Sequence, residues 1–120
     1  DFPCLLPQNY AGGGLTVRIG WTSEATSGNV KWDLFIKSLT AGTDNTTTKA
    51  FAAANSTTTG TNGTARVQNI TTITFTSGAD IDSWLAGEEG ILRLERDSVD
   101  GGDTMDSNDA ELHFIEVRET

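Results

Sequence analysis

Hydrophobic and polar residues alternate in two long stretches near the start of the chain. From Leu15 to Trp21, and again from Val30 to Ile36, apolar side chains stand at every second position. This period of two is typical of a strand that packs one face against a core. Because the segment between them, Thr22 to Asn29, is rich in turn-forming residues, we expect the two strands to form an antiparallel pair joined by a loop.

Three later stretches also predict strands: Val67 to Thr76, Gly90 to Arg96 and Glu111 to Arg118. In the last of them, the apolar residues from Leu112 to Val117 form two sets that are out of phase with each other. Either both faces of this strand are covered or a β-bulge shifts its register.

The remaining segments give weaker signals. Asp1 to Pro7 is apolar and interrupted by prolines, which an edge strand tolerates and a central strand does not. Phe51 to Ala54 is a candidate for a short strand, and Asp80 to Ala86 for a single helical turn capped by its first residue. Two segments dominated by Thr, Asn and Gly predict loops, namely Ala41 to Lys49 and Asn55 to Thr64.

Composition agrees with a β structure. Thr, Ser, Asn and Gly make up more than a third of the 120 residues, and strong helix formers are sparse. Thr and the β-branched apolar residues favour strands, whereas Gly and Asn favour turns. With six to eight short strands, the sequence predicts an all-β fold: a single domain over residues 1–120, built as an antiparallel β-sandwich that is jelly-roll-like.

The charge balance excludes some partners. The chain has 17 acidic and 8 basic residues, for a formal charge of -9. Since attraction to phosphate supplies most non-specific affinity for nucleic acid, we expect no nucleic-acid partner, and an anionic membrane surface is disfavoured for the same reason. No apolar run approaches the roughly 20 residues that cross a bilayer, and no charged-then-apolar leader opens the chain, so we expect a soluble protein.

Residues suited to catalysis are scarce. The only histidine, His113, stands between apolar residues of a predicted strand, so we expect a structural role. The single cysteine, Cys4, has apolar neighbours that would raise the pKa of its thiol. No nucleophile-elbow, phosphate-loop or zinc-protease motif occurs. We therefore predict a protein that is not an enzyme and uses no cofactor.

An acidic residue stands at every third position in one late segment. These residues are Asp97, Asp100, Asp103, Asp106 and Asp109. Such carboxylates could bind calcium, which takes about six to eight oxygen ligands, or they could be turn residues of a solvated hairpin loop. Because the spacing does not match the EF-hand pattern, we expect the solvated loop and no metal site.

The three tryptophans divide into two groups. Trp21 and Trp32 are in phase with aliphatic neighbours, which indicates core packing. Trp84 lies in a short polar segment and is therefore the candidate for an aromatic ring that stacks on a sugar.

Several blocks of sequence resemble a recurrent β-domain of predicted phage virion proteins. The blocks are Phe2-Pro3 with Leu6 to Tyr10, Leu15 to Trp21, Ala25 to Trp32, and Asp103 to Met105 with Asp109 to Leu112. They span nearly the whole chain, although Ala41 to Asn69 departs into Thr-rich sequence. The resemblance implies a virion structural protein, such as a capsid decoration (cement) protein or the terminal domain of a tail fibre, with no catalytic signature.

The resemblance also implies a location in the virion and protein partners. These would be capsid or tail subunits, together with further copies of the chain in a homo-oligomer. Phe2, Leu5 and Leu6 at the N-terminal edge are the candidates for the docking side, although they could equally close the domain's own core. The alternative function is a carbohydrate-binding or receptor-binding module, in which Trp84 contacts a surface glycan.

Overall fold

Seven strands in the described part of the chain form two antiparallel sheets that pack face to face. The computed structural model describes residues 1–105 and 109–120. Its elements are β1 (Phe2–Leu5), β2 (Leu15–Thr22), β3 (Asn29–Leu39), β4 (Asn55–Gly60), β5 (Asn69–Phe75), a 3-10 turn (Ala79–Ile81), β6 (Glu89–Arg96) and β7 (Glu111–Glu119). One sheet has the order β1-β6-β3-β4 and the other β5-β2-β7. The predicted all-β sandwich is confirmed, and β1, β2 and β3 alternate between its two sheets.

β2 and β3 lie in different sheets, so the expectation that they pair with each other is wrong. β2 pairs with β5 and β7, while β3 pairs with β4 and β6. β2 and β3 each have one apolar face. In two stacked sheets these faces are buried against each other, whereas in a single sheet with β2 beside β3 both faces would lie uncovered on the same side. The rings of Trp21 and Trp32 meet edge to face across this interface, with their centroids 6.0 Å apart.

The core consists of buried apolar side chains from both sheets and from the segments beside them. They are Leu6, Leu15, Val17, Ile19, Trp21, Val30, Trp32, Leu34, Ile36, Ile73, Phe75, Ile81, Trp84, Leu92 and Met105. The predicted core positions of Trp21 and Trp32 are confirmed, since their exposed fractions are 0% and 5%.

The other strands expected from periodicity are present as β5, β6 and β7, and their ends lie within two residues of the expected ends. The edge strand expected within Asp1 to Pro7 is β1, where Pro3 lies opposite Ile91 of β6. The expected helical turn is a short 3-10 turn that begins earlier, at Ala79. Asp80 does not cap this turn but accepts a hydrogen bond from the Thr76 backbone N–H (2.8 Å).

Two expectations in the Thr-rich middle of the chain are wrong. The segment Asn55 to Thr64 is not all loop, because its first six residues form β4. This strand is polar, and the β-branched side chains of its threonines favour an extended backbone without apolar neighbours. The segment Phe51 to Ala54 is not a strand. The Phe51 ring instead packs against the Phe35 ring on the outer face of the sheet, 6.3 Å between centroids.

A β-bulge in β7 explains the two out-of-phase apolar sets. The ladder passes from the pair Trp21–Leu112 to the pair Gly20–Phe114, so His113 is the extra residue. His113 is exposed, and its Nε2 lies 2.9 Å from the hydroxyl of Thr22.

Beyond the bulge, β7 uses its two faces differently. Ile115 and Val117 pack against the core. The Phe114 ring lies directly over Gly20, where a Cβ atom would come within 2.2 Å of it. Of the two interpretations that the sequence left open, the shifted register is confirmed, and beyond the bulge β7 also has apolar side chains on both faces.

Candidate functional site

The two long sides of the sandwich are closed to different degrees. On one side, the Asn55 amide donates to the Thr74 carbonyl (2.8 Å) and the Thr57 hydroxyl donates to the Thr72 carbonyl (3.0 Å), which joins β4 to β5. On the other side, no hydrogen bond among the described residues joins β1 to β7. A groove of about 490 Å³ runs along this open side.

Residues from both sheets line the groove. Cys4, Leu6 and Tyr10 lie on the β1 side, and Ile115 and Val117 lie on the β7 side. All five pack against the core or belong to it, so the groove is an opening in the edge of the core.

Trp84 lines the groove from inside the core. Its side chain is only 1% exposed, and its Nε1 donates to the Glu88 carbonyl (2.8 Å). The ring packs on the backbone of Gly90, where a Cβ atom would lie 2.5 Å from it. A ring that stacks on a sugar must offer an open face, so the interpretation of Trp84 as a glycan contact is corrected: it is a core residue.

The three N-terminal docking candidates do not share one environment. Leu6 is 4% exposed, and its N–H and carbonyl continue the β1–β6 ladder through Glu88 (3.2 Å) and Gly87 (2.8 Å). Leu5 is 68% exposed and Phe2 is 39% exposed. Leu6 therefore closes the domain's own core, whereas Leu5 and Phe2 expose apolar surface to solvent.

The groove contains two titratable groups with raised pKa values. Burial, with a smaller effect from the charge of Glu89, raises the pKa of the Cys4 thiol, as its apolar neighbours predict. Burial and the charge of Glu119 raise the pKa of Tyr10, whose hydroxyl donates to the Gly13 carbonyl. Since both groups are neutral at physiological pH, the groove offers apolar contacts and two uncharged polar groups. The charged residues Arg118 and Glu119 also line it.

The acidic segment that follows β6 forms ion pairs with basic side chains of β3 and β6. The Asp103 carboxylate, whose side chain is 1% exposed, accepts two hydrogen bonds from Arg96 (2.7 and 2.8 Å). The Lys31 ammonium lies 3.0 Å from Asp100 and 3.3 Å from Asp97. The expectation of a solvated loop is wrong for Asp103, whose carboxylate is buried against Arg96, whereas Asp97 and Asp100 bind Lys31 and remain 27% and 40% exposed.

The two remaining acidic positions of this segment are Asp106 and Asp109. Asp106 lies outside the described residues, and Asp109 is exposed. In the described ranges, no group of three or more His, Cys, Asp or Glu side chains could hold a metal ion. Over the same ranges, no helix is long and apolar enough to span a bilayer.

Sequence reasoning missed Tyr10, Ile115 and Val117 as parts of this site. The available signal was the doubled apolar pattern of the last strand, which marks a strand with apolar residues on both faces. What the sequence could not indicate is that β1 and β7 belong to different sheets and end up on the same side of the sandwich.

Comparison of the chain with protein-family models, with curated proteins and with solved structures finds no match.

Proposed function

We propose that the protein is a non-enzymatic structural component of a phage virion, of capsid decoration or tail-fibre type, which acts by protein–protein assembly. The observation that supports this function is the open side of the sandwich. Two strand edges that have no backbone partner among the described residues flank an apolar groove there, and Leu5 and Phe2 expose apolar surface beside it. Unpaired edges and exposed apolar surface are typical of protein interaction sites.

The charge of the molecule is compatible with this role. A formal charge of -9 keeps the free protein soluble and opposes non-specific association between copies. Assembly would then depend on a partner surface that complements both the apolar groove and the net negative charge of the chain.

The experiment is cosedimentation of the full chain with bare phage capsids and with isolated tails. We expect saturable binding to one of these particles, and weaker binding after Leu5→Ser because this change removes exposed apolar surface. Val99→Ser is the matched control, since Val99 is 94% exposed but lies on the loop after β6, outside the lining of the groove. A protein that stays monomeric at high concentration and binds neither particle would contradict the proposal.

A further inference from the structure

We infer that the free edge of β7 accepts an added strand from a partner protein. The partner segment is extended, its apolar side chains alternate with polar ones, and basic residues flank them. This inference rests on the proposed function and deepens it, because it specifies what binds at the open side.

The backbone of β7 is unpaired along one edge. In the described part of the chain β7 pairs only with β2, and the Thr120 N–H continues that ladder by donating to the Gly14 carbonyl (2.9 Å). Backbone groups of successive residues in a strand point to opposite edges. The N–H and carbonyl groups of Ile115, Val117 and Glu119 therefore point away from β2, where an added strand would meet them.

Of the features that usually protect a strand edge, this part of β7 has charged side chains, Glu116, Arg118 and Glu119, but no proline, lysine or bulge. β7 contains no proline or lysine, and its bulge lies at His113, before the unpaired stretch. The other edges are better protected: β1 is only four residues long and contains Pro3, while β4 and β5 are joined to each other by hydrogen bonds.

The groove supplies a site for the side chains of the added strand. Alternate residues of a strand point to the same face, so every second residue of a strand paired with β7 would face the groove over Ile115 and Val117. The groove volume of about 490 Å³ lies within the range of roughly 300–1,000 Å³ that is typical of sites for small ligands. It can therefore hold the apolar side chains of a short segment.

Charge indicates that this segment belongs to another protein rather than to a second copy. Symmetric antiparallel pairing of two β7 strands over their full length would centre on Ile115 and place Glu111 opposite Glu119 at both ends. Like charges directly opposite each other destabilise a strand pair. Lysine or arginine at the ends of a partner segment would instead be attracted to a chain with a formal charge of -9. The two carboxylates add to this attraction, although Glu119 already accepts hydrogen bonds from the Ala11 and Gly13 N–H groups (3.3 Å each) and Glu111 lies 3.8 Å from Arg66.

A model peptide tests the predicted chemistry. The probe has the nine-residue length of β7, alternates valine with threonine, carries lysine at both ends and bears a fluorescein label. Its binding to the full chain is followed by fluorescence anisotropy. We expect saturable binding that weakens as salt is added, and affinities lower by about tenfold or more for peptides with glutamate at both ends or with proline in place of threonine. Equal binding of all three peptides would overturn the inference.

Amide hydrogen exchange locates the interaction. Saturation with the lysine peptide should slow the exchange of the Ile115 and Val117 amides by about tenfold or more, because their N–H groups become hydrogen-bonded. The amides of β5, on the opposite side of the sandwich, should be unaffected. Unchanged exchange at Ile115 and Val117 under saturation would contradict strand addition.

Two matched variants separate this inference from the proposed function. Val117→Thr makes the groove more polar with little change in shape and should weaken peptide binding severalfold. Ile70→Thr makes the same kind of change at a position that is 36% exposed, away from the groove lining, and should have no effect. Peptide binding without any binding to capsids or tails would contradict the proposed function alone. Particle binding that Val117→Thr leaves intact would contradict strand addition alone.

Discussion

At the scale of single residues, contacts between β2 and β7 set the shape of the outer sheet face. Gly20 is buried, and the Phe114 ring occupies the space that a side chain at position 20 would need. The two residues lie opposite each other in the ladder. Together they form one packing unit, in which the absence of a side chain on β2 accommodates an aromatic ring on β7.

Gly20→Ala should therefore destabilise the protein by about 1–3 kcal/mol, which is the usual effect of forcing extra volume into a packed site. The added Cβ atom would come within 2.2 Å of the Phe114 ring. The double variant with Phe114→Ala removes this clash, so it should be more stable than the sum of the two single changes implies. Urea unfolding of the four proteins measures the coupling, and strictly additive effects would contradict the contact.

The Arg96–Asp103 ion pair should contribute more to stability than pairs at the surface. Arg96→Met should cost about 2–4 kcal/mol, because it leaves a carboxylate that is 1% exposed without its cation, while the 19% exposure of Arg96 keeps the loss below that of a fully buried pair. Arg18→Met is the control: Arg18 and Glu116 are 37% and 46% exposed, and such pairs contribute about 0–1 kcal/mol. Similar midpoints of urea unfolding for the two variants would refute this distinction.

At the scale of elements, hydrogen bonds and ion pairs join the segment that follows β6 to β3. The backbone N–H groups of Thr104 and Met105 both donate to the Asn29 carbonyl (2.9 and 3.0 Å), and the Met105 side chain is buried in the core. Lys31 of β3 binds the carboxylates of Asp97 and Asp100. The acidic segment is thus part of the folded structure, and two cations on the neighbouring strands, Lys31 and Arg96, offset part of its negative charge.

Acid should weaken this element. Hydrogen bonds from Arg96 are the main reason that the pKa of Asp103 is lowered, and the Gly102 N–H, followed by Lys31, lowers the pKa of Asp100. Because the folded pKa values lie below the unfolded value of about 3.9, the stabilisation is complete above that pH and is lost as the pH falls through the folded values. Urea midpoints at a series of pH values should therefore drop below about pH 4. The Asp103→Asn variant should be less stable than the unmodified protein at neutral pH, and its urea midpoint should fall less on acidification. An equal fall in both proteins would show that protonation of Asp103 does not cause the loss of stability in acid.

Calcium should have little effect on the same element. Asp97, Asp100 and Asp103 already bind Lys31 or Arg96, so a metal would have to displace these cations. We expect the melting temperature in millimolar calcium to differ by no more than about 1 °C from its value in chelator. A rise of many degrees that disappears after Asp100→Ala would show that the segment is a metal site.

At the scale of the whole molecule, the sequence predicts the strands well and their partners poorly. Alternation locates β2, β3 and β5 because their inner faces are apolar, and it places Trp21 and Trp32 in the core. β4 carries no apolar residue and therefore gives no such signal. Sheet membership depends on which faces meet across the core, and no local pattern encodes this. The groove between β1 and β7 was inaccessible to prediction for the same reason.

The two sheets should unfold together. The Trp21 and Trp32 rings come from opposite sheets and are in contact, and all three tryptophans are at least 95% buried. Separation of the sheets would expose these rings to water at once. Tryptophan fluorescence and far-ultraviolet circular dichroism should therefore give the same urea midpoint, as expected for a two-state domain. Midpoints that differ would indicate that one sheet persists after the other is lost.

The separation of β2 from β3 also has a consequence for the rate of folding. Of the strand pairs in the described structure, only β3–β4 joins strands that are consecutive in the chain, and all the others join distant segments. The β3–β4 hairpin is the one local pair, and little apolar surface is available to drive its formation in isolation, because β4 has no apolar side chain. The entropy of closing long loops must be overcome before most native contacts form, which places folding in the millisecond-to-second range of β-sandwiches rather than in microseconds. During that interval, the apolar strands of both sheets are exposed together, so newly made chains are most vulnerable to aggregation before the core has formed.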